Sequence, residues 1–274
     1  MRSAVTISLV PEAAGGPFVF WHELKKSCQR ARELGFDAVE IFPPDATSWD
    51  RNALDDAISG PGEGLRVAAM GTGAGWVKHK LLLTSPDLQV RQQARAFAKS
   101  IINIAAVFRA PAIIGSMQGR VEPGMRRSDV LNWLRESVEE LADYAATQKA
   151  EGQVLLLEFL NRYETNVLNN VLQSLEFLAT LKAKNVQLLL DLFHMNIEEQ
   201  DIAEAIRLAG PAVGHVHFAD SNRRAPGLGH TDFKPIVAAL RDINYQGYLS
   251  AEVLPLPSPE EAAAQTIRAY KALA

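Results

Sequence analysis

The sequence predicts a (β/α)8 barrel, in which eight parallel strands alternate with helices and close into a cylinder. Eight short apolar runs recur along the 274 residues, and a segment with helical periodicity follows each of them. Strict alternation of strand and helix is typical of a parallel sheet. The last five runs are nearly continuous in apolar residues, as parallel strands buried on both faces are. The chain length also matches such a barrel, which takes about 250 residues.

The first half of the chain predicts four strand–helix units. The first strand is rich in β-branched residues, and the helix after it is expected to end at Gly35. The third strand leads into a loop with alternating glycines, Gly71–Gly75. Ser85, followed by Pro86 and Asp87, predicts the start of the third helix, with Ser85 as the capping residue. The predicted strands cover residues 4–10, 38–42, 65–70 and 112–115, and the helices cover residues 20–34, 49–58, 85–108 and 128–149.

The second half predicts four more units of the same kind. Asp232 is expected to cap one helix, and Ser258 before Pro259 is expected to start the last one. No stretch rich in Pro, Gly or Ser divides the chain, so residues 1–274 are expected to form one domain. The first strand–helix turn lacks a GxGxxG pattern, which disfavours an open dinucleotide-binding sheet. The predicted strands cover residues 154–158, 187–191, 213–217 and 248–252, and the helices cover residues 170–182, 201–208 and 233–241.

The composition is that of an ordinary globular protein, with 47% hydrophobic and 22% charged residues. A net charge of −4 provides no basic excess for a nucleic-acid surface, so no nucleic-acid partner is expected. The single cysteine, Cys28, excludes an internal disulfide and is expected in the core. No apolar stretch reaches the about 18 residues that span a membrane, and the N-terminal run is too short for a signal peptide. We therefore expect a cytoplasmic protein without a membrane partner.

Acidic or imidazole residues lie at the predicted ends of the last four strands. Roughly 30 residues separate one from the next, which is the length of one strand, one helix and two loops in a barrel of this size. The carboxyl ends of the strands form the active face of such barrels. Three carboxylates meeting there would repel one another unless a cation joined them. The four residues are Glu158, Asp191, His217 and Glu252.

Three carboxylates and one imidazole form an oxygen-rich set of ligands. Such a set is typical of a six-coordinate divalent metal, with two positions left for substrate or water. Mn²⁺ is the expected ion, and Mg²⁺ or Co²⁺ would also suit the set. Zn²⁺ is an alternative that fits less well, because it usually takes fewer oxygen ligands and more histidine or cysteine. The competing interpretation is that the four residues have separate structural roles.

Four stretches of the C-terminal half resemble the D-tagatose 3-epimerase group, or ketose 3-epimerases, within the xylose isomerase-like TIM barrels. They are EFLNRYET at Glu158–Thr165, LDLFHMNIEE at Leu190–Glu199, HVHFADSNRRAPGLGHTDF at His215–Phe233 and AEVLPLP at Ala251–Pro257. The N-terminal half resembles this group only in its general barrel pattern. One departure is Phe159, because the group usually has Pro after the first glutamate.

The resemblance implies a role for each residue of the site. The four strand-end residues correspond to the group's metal ligands, and Glu158 and Glu252 also correspond to its catalytic pair on opposite faces of the sugar. Glu164, His194 and Arg223 correspond to positions that hold the oxygens at the carbonyl end of the substrate. The resemblance further implies a small sugar as substrate, one divalent metal as cofactor, and a homo-oligomer, either a dimer or a tetramer.

These roles predict epimerisation or isomerisation of a small ketose or related keto-sugar through an enediolate. One glutamate would remove a proton next to the carbonyl, and the other would return a proton to the opposite face. An aldose–ketose isomerase, a hydroxypyruvate or tetronate isomerase and an inosose-type dehydratase are alternatives on the same barrel. Arg120, in the loop after the fourth strand, would favour an acidic substrate.

Two functions of other classes are also compatible with a barrel. A DNA-repair endonuclease of the abasic-site type would need further histidines at the second and third strands, which instead end in Glu40-Ile41-Phe42 and Met70-Gly71. A non-catalytic carbohydrate-binding barrel would not need both glutamates. Glu40 is expected either to touch substrate hydroxyls or to pair with an arginine. His215 is expected as a core imidazole or as a support for the metal site.

Overall fold

Eight parallel strands form a closed barrel in the computed structural model, which describes residues 1–59, 64–148 and 154–273. Each strand pairs with its neighbour in chain order, and the pairing of the first strand with the last closes the cylinder. A two-residue strand, Phe20–Trp21, adds to the first strand. The predicted (β/α)8 barrel is therefore confirmed. The strands are β1 Arg2–Ser8, β2 Ala38–Phe42, β3 Arg66–Gly71, β4 Ala112–Ile114, β5 Leu155–Glu158, β6 Val186–Asp191, β7 Val213–His217 and β8 Tyr248–Ala251.

Helices surround the barrel and pack on one another as well as on the strands, as α4 does on α5 and α8 does on α9. They bury one face each, which explains their amphipathic sequences. Among the helices of the described ranges, none combines the length and the apolar character of a membrane span. The helices are α1 Leu24–Leu34, α2 Arg51–Ile58, α3 Ala74–Val77, α4 Leu88–Val107, α5 Arg127–Ala146, α6 Val171–Ala179, α7 Leu192–Glu198, α8 Ile202–Ala209, α9 Phe233–Asp242 and α10 Pro259–Leu273.

Three predicted helix boundaries are confirmed by their local chemistry. Gly35 closes α1 in the left-handed conformation, with φ of 87°, which a residue without a Cβ adopts readily. The Asp232 carboxylate accepts a hydrogen bond from the backbone N–H of Lys234 and caps α9. The hydroxyl of Ser258 accepts one from the backbone N–H of Glu261 at the start of α10.

The predicted start of the helix at Ser85 is wrong. The helix α4 begins at Leu88, and the carboxylate of Asp87 caps it by accepting a hydrogen bond from the backbone N–H of Gln89. The hydroxyl of Ser85 instead accepts a hydrogen bond from the N–H of Asp87, in the turn before the helix. Ser85 and Asp87 could each serve as the cap, and the carboxylate of Asp87 provides the stronger, charged acceptor.

Other differences concern short elements. The predicted helix 20–34 begins only at Leu24, because Phe20 and Trp21 pair with β1. The loop after β3 contains α3, and the segment after β6 contains α7, neither of which was predicted. The predicted helix 128–149 ends at Ala146 among the described residues, and its predicted last residue, Lys149, lies outside them.

Alternating strand residues separate two layers of buried side chains. One set packs between the sheet and the helices together with Cys28, which is fully buried as expected. The other set faces the inside of the barrel, where alanines fill the space near the amino ends of β1 to β3. Polar side chains replace these alanines toward the carboxyl ends of the strands, where the active sites of such barrels lie. These buried polar residues include Thr6, Glu40, His215, His217 and Ser250.

Candidate active site

The four strand-end residues of the sequence analysis converge at the carboxyl end of the barrel. One ligand-type atom from each lies within 4.8 Å of the others. The Nδ1 atom of His217 lies 3.3 Å from Oε2 of Glu252, 3.4 Å from Oδ2 of Asp191 and 3.6 Å from Oε1 of Glu158. All four residues are buried or nearly so. The Nδ1 atom of His217 therefore lies within 3.6 Å of all three carboxylates.

Strand register explains this convergence. Glu158, Asp191 and His217 are the last residues of β5, β6 and β7, and Asp191 and His217 are direct partners in the sheet. Glu252 directly follows β8, two residues after Ser250, which pairs with His217. Because side chains alternate between the two faces of a strand, these positions all point into the barrel near the carboxyl ends of their strands.

Asp191 has a second role as the capping residue of α7. One of its carboxylate oxygens accepts a hydrogen bond from the backbone N–H of Phe193 at 2.8 Å, and the other faces His217. The cap fixes the first turn of α7, and this turn carries His194. The strand end and the helix start therefore share one carboxylate, which ties the position of His194 to that of the strand-end residues.

Glu40, in the middle of β2, supports the imidazole from the other side. Its Oε1 atom lies 3.0 Å from Nε2 of His217, and its Oε2 atom lies 2.7 Å from Nε2 of His215. All three side chains are buried. The expected partner of Glu40, a substrate hydroxyl or an arginine, is replaced by two histidines. His215 is the buried supporting imidazole that the sequence analysis expects.

Burial and mutual repulsion shift the protonation of the strand-end residues. Burial raises the pKa of Glu158 to about 7, with His217 opposing the change and Glu252 and Asp191 adding to it. Burial would also raise the pKa of Asp191, but Arg223 and the two nearby imidazoles hold it well below its usual range. Burial would lower the pKa of His217, but the surrounding carboxylates raise it well above the usual value. The protonated form of the His217 imidazole is therefore favoured when no cation is bound.

This donor set fits a divalent cation. Three buried carboxylates and one imidazole nitrogen offer ligand atoms that lie within 4.8 Å of one another, and the pKa of Glu158 is raised by burial and further by repulsion from Glu252 and Asp191. A cation would replace the protons on Glu158 and His217 and remove the repulsion between the carboxylates. The oxygen-rich set matches the preference of Mn²⁺, Mg²⁺ and Co²⁺.

The three residues expected to hold the substrate lie beside this set. His194 is buried, with its Nε2 atom 3.7 Å from both Glu158 and Asp191. The guanidinium of Arg223 forms ion pairs with Glu252 and with Asp191, the latter at 3.2 Å. Glu164 lies 3.8 Å from Nδ1 of His194 and 3.7 Å from Arg223. The structure therefore brings together all seven residues that the sequence analysis assigned to the site.

Two neighbouring residues that the sequence analysis did not assign hold this group in place. Asn161 contacts Nδ1 of His194 at 2.7 Å through its amide nitrogen and donates to Glu164 at 3.0 Å. The ring of Phe193 stacks under the guanidinium of Arg223, with 4.7 Å between its centroid and Cζ. Both residues lie within the stretches that carry the family resemblance. This position was the only sequence feature that could have indicated their place in the site.

A cavity of about 620 Å³ opens above the strand-end residues. Glu158, Glu252 and the three substrate-type residues line its floor. Gly115 also lines it, and a Cβ at this position would overlap Oε2 of Glu158, so the glycine makes room for the carboxylate. Much of the remaining wall is apolar and includes Val10, Phe18, Phe42, Ala74, Val77 and Ile113.

Other candidates lie outside this cavity. Arg120 is half-buried and donates a hydrogen bond to the backbone oxygen of Tyr163, and it is absent from the described residues that line the cavity. An acidic substrate therefore gains no support from Arg120. Phe159, the departure from the family pattern, is fully buried in the core and leaves the position of Glu158 intact.

The chain is similar to known proteins over most of its length. The pattern of the xylose isomerase-like TIM barrel family matches residues 28–273. The chain is 32% identical over 229 residues to a D-psicose 3-epimerase of Agrobacterium fabrum, covering 82% of this chain and 77% of that one. It is 30% identical over 224 residues to the 3-dehydro-D-guloside 4-epimerase of Escherichia coli K12, covering 81% and 83%.

Solved structures show the same fold. A D-allulose 3-epimerase from Methylomonas sp. in complex with D-allulose superposes with a TM-score of 0.80 at 23% identity, covering all of both chains. An L-ribulose 3-epimerase superposes with a TM-score of 0.79 at 25% identity, covering 99% of this chain and 93% of that one. Taken with the family match over most of the chain, these similarities show that the chain belongs to the ketose 3-epimerase-like sugar isomerases and epimerases of the xylose isomerase-like TIM barrel family.

Proposed function

We propose that this sugar epimerase or isomerase is a divalent-metal-dependent epimerase, which inverts the carbon next to the carbonyl of a small ketose or related keto-sugar. The observation that carries the proposal is the pair of glutamates, Glu158 and Glu252, in one cluster at the floor of the cavity. They come from β5 and β8, which are separated in the sheet by two strands. Two carboxylates that approach one carbon from different sides are what an inversion requires.

The chemistry follows from the weak acidity of a C–H bond next to a ketone. A divalent metal, Mn²⁺ being our first choice, supplies a Lewis acid that stabilises the negative charge developing on the substrate oxygens. We assign its ligands to Glu158, Asp191, His217 and Glu252. One of the two glutamates takes the proton from the carbon, and the other donates a proton to the opposite face.

We assign the holding of the carbonyl-end oxygens to Glu164, His194 and Arg223. Burial lowers the pKa of His194, which favours the neutral imidazole, a group that can donate or accept a hydrogen bond. Arg223 keeps its charge, because Asp191 and Glu252 raise its pKa further despite burial. Its buried Nε atom has no hydrogen-bond partner among the described residues.

The substrate in this proposal is uncharged at the end remote from the carbonyl. Among the described residues that line the cavity, Arg223 is the only lysine or arginine, and its guanidinium is already paired with carboxylates. A phosphate or a carboxylate in the outer part of the cavity would meet Val10, Phe18 and Val77 without a partner charge. Burying an unpaired charge is costly, so free keto-sugars are favoured over their phosphates and over keto-acids.

Aldose–ketose isomerisation is the main alternative on this site. It moves a proton between neighbouring carbons and can use a single base, so the second glutamate would be only a metal ligand. An inosose-type dehydratase remains a further alternative of the same kind. A single-domain organisation of residues 1–274, a cytoplasmic location and assembly as a dimer or tetramer stay predictions from the sequence.

The test is a panel of ketoses, their phosphates and keto-acids with Mn²⁺ in D₂O, followed by NMR. Epimerisation predicts deuterium at C3 of a free ketose together with inversion of that carbon. Exchange restricted to C1 of the ketose, or to C2 of an aldose product, would contradict the epimerase proposal and favour the isomerase. Faster turnover of a phosphate than of the matching free ketose would contradict the proposed uncharged substrate.

A further inference from the structure

The loop between β7 and α9, residues 218–232, folds around a single carboxylate. Asp220 is fully buried, and its two oxygens accept four hydrogen bonds from backbone N–H groups. The donors are Ser221 at 2.7 Å, Gly227 at 2.8 Å, Gly229 at 2.9 Å and Thr231 at 3.1 Å. These donors lie before and after the turn of the loop. The carboxylate therefore acts as the core of a segment that has few apolar side chains of its own.

The backbone of Asp220 also fixes Arg223. The N–H of Arg223 donates to the backbone oxygen of Asp220 at 2.8 Å, and the N–H of Asp220 donates to the backbone oxygen of Arg224 at 3.0 Å. The oxygen of Arg223 accepts a hydrogen bond from the N–H of Leu254 at 2.7 Å, in the segment that follows Glu252. Arg223 itself has φ of 57°, a left-handed conformation that costs energy for a residue with a Cβ. Such a conformation persists only where the surroundings hold it.

We propose that Asp220 is a positioning residue, which holds the backbone of Arg223 in this strained conformation so that the guanidinium reaches the floor of the cavity. From there the guanidinium pairs with Asp191 and Glu252 and stacks on Phe193. Within the described part of the chain, Asp220 forms no hydrogen bond or ion pair with the four proposed metal ligands. Asp220 therefore affects the reaction through Arg223. This inference rests on the proposed function, in which Arg223 binds the substrate.

The experiment compares Asp220→Asn and Asp220→Ala with the wild-type enzyme, each loaded with Mn²⁺. Asparagine keeps one acceptor oxygen and turns an N–H₂ group toward backbone donors, so it loses part of the carboxylate's hydrogen bonds, and alanine loses all of them. We expect KM for the ketose to rise about tenfold or more, which is the scale of losing one charge-assisted contact between Arg223 and the substrate. The rise should be larger for Asp220→Ala than for Asp220→Asn. The dissociation constant for Mn²⁺, measured by calorimetry, should rise much less than KM, because displacing Arg223 removes a neighbouring cation from Asp191 and Glu252 but removes none of the four proposed ligands.

A third variant disturbs the Asp220 carboxylate by steric overlap. A Cβ on Gly229 would overlap Oδ1 of Asp220, so Gly229→Ala should raise KM in the same way. Limited digestion with trypsin reports the loop directly, because cleavage after Arg223 and Arg224 should become faster in all three variants. Asp45→Asn is the matched control. Asp45 accepts backbone hydrogen bonds from Thr47 and Ser48 in another loop, so this change should leave KM unaltered.

The possible outcomes separate the inference from the proposed function. A wild-type enzyme that turns over no ketose contradicts the proposed function, while faster loop cleavage in the variants would still support the structural part of the inference. An active wild type with Asp220 variants of unchanged KM contradicts the inference alone. Equal losses of Mn²⁺ affinity and of ketose affinity would also contradict it, because they would indicate a general collapse of the site.

Discussion

The Nε2 atom of His217 lies 3.0 Å from Oε1 of Glu40, across the barrel from the carboxylates that face Nδ1 of the same ring. The second oxygen of Glu40 lies 2.7 Å from His215. The contact fixes the ring orientation and favours the tautomer in which Nε2 carries the proton and Nδ1 is free to bind a cation. Pairing of a ligand imidazole with a carboxylate is a common way to orient it and to increase its basicity.

Replacing Glu40 should therefore weaken metal binding without removing a ligand. We expect Glu40→Ala to lower the affinity for Mn²⁺ by about 10- to 100-fold, the usual effect of losing such a supporting contact. Glu40→Gln should have a smaller effect, because an amide oxygen can still accept from Nε2 of His217. Calorimetric titration of the metal-free variants with Mn²⁺ measures both affinities. Glu40→Ala protein that is folded by circular dichroism and binds Mn²⁺ as tightly as the wild type would refute this role.

Gly115 should be required for the position of Glu158. In Gly115→Ala the new methyl group would overlap the carboxylate and force it out of the cluster, so we expect turnover to fall by about 100-fold or more, the scale of a misplaced catalytic group. Gly73→Ala is the matched control, because its Cβ would meet only the Ser116 hydroxyl at an ordinary 3.7 Å in the same cavity. Steady-state kinetics measure the turnover of both variants. Equal turnover in Gly115→Ala and Gly73→Ala would mean that Glu158 has room to move.

Metal affinity should depend strongly on pH. In the metal-free protein the pKa of Glu158 is raised to about 7 and that of His217 lies well above its usual value, so both groups hold protons that a metal must displace. Lowering the pH below 7 favours the protonated forms, and the affinity for Mn²⁺ should fall by about tenfold or more per pH unit. Above pH 7 the dependence should weaken as Glu158 becomes ionised.

Titrations between pH 5.5 and 8.5 in buffers of different ionisation enthalpy would measure both the affinity and the number of protons released. The substitution Glu164→Gln serves as a control, since this residue lies outside the cluster and should not alter the pH dependence. An affinity that stays constant from pH 5.5 to 7.5 would contradict the assignment of Glu158 as a buried ligand with a raised pKa.

The sequence predicts the barrel and the strand-end residues well because both follow from periodicity. Apolar runs with regular spacing fix the eight strands, and the position after each run fixes which side chains reach the active face. Glu40 shows where such reasoning ends. Its partners His215 and His217 lie 175 and 177 residues away in the chain, and only the closure of the barrel brings them together.

Local elements were harder to predict for a different reason. Asp87 and Ser85 are both good caps, and the choice between them depends on hydrogen bonds that compete within one turn. Asp191 was expected only at a strand end, yet it also caps α7, a short helix whose sequence has no other strong start signal. The role of Asp220 depends on four backbone donors of one loop, which have no side-chain pattern to reveal them.

The central claim is that Glu158 and Glu252 act on opposite faces of one carbon, and proton exchange in single variants tests it most directly. Glu158→Gln and Glu252→Gln, each saturated with Mn²⁺ and checked for bound metal, would be given each of the two C3 epimers of an active ketose in D₂O. The wild type should interconvert the epimers with deuterium at C3. Each variant should lose at least about 1,000-fold in interconversion, the scale of general acid–base catalysis. One variant should retain exchange only with one epimer, and the other variant only with the opposite epimer. Interconversion at close to the wild-type rate in either folded, metal-loaded variant would contradict the account.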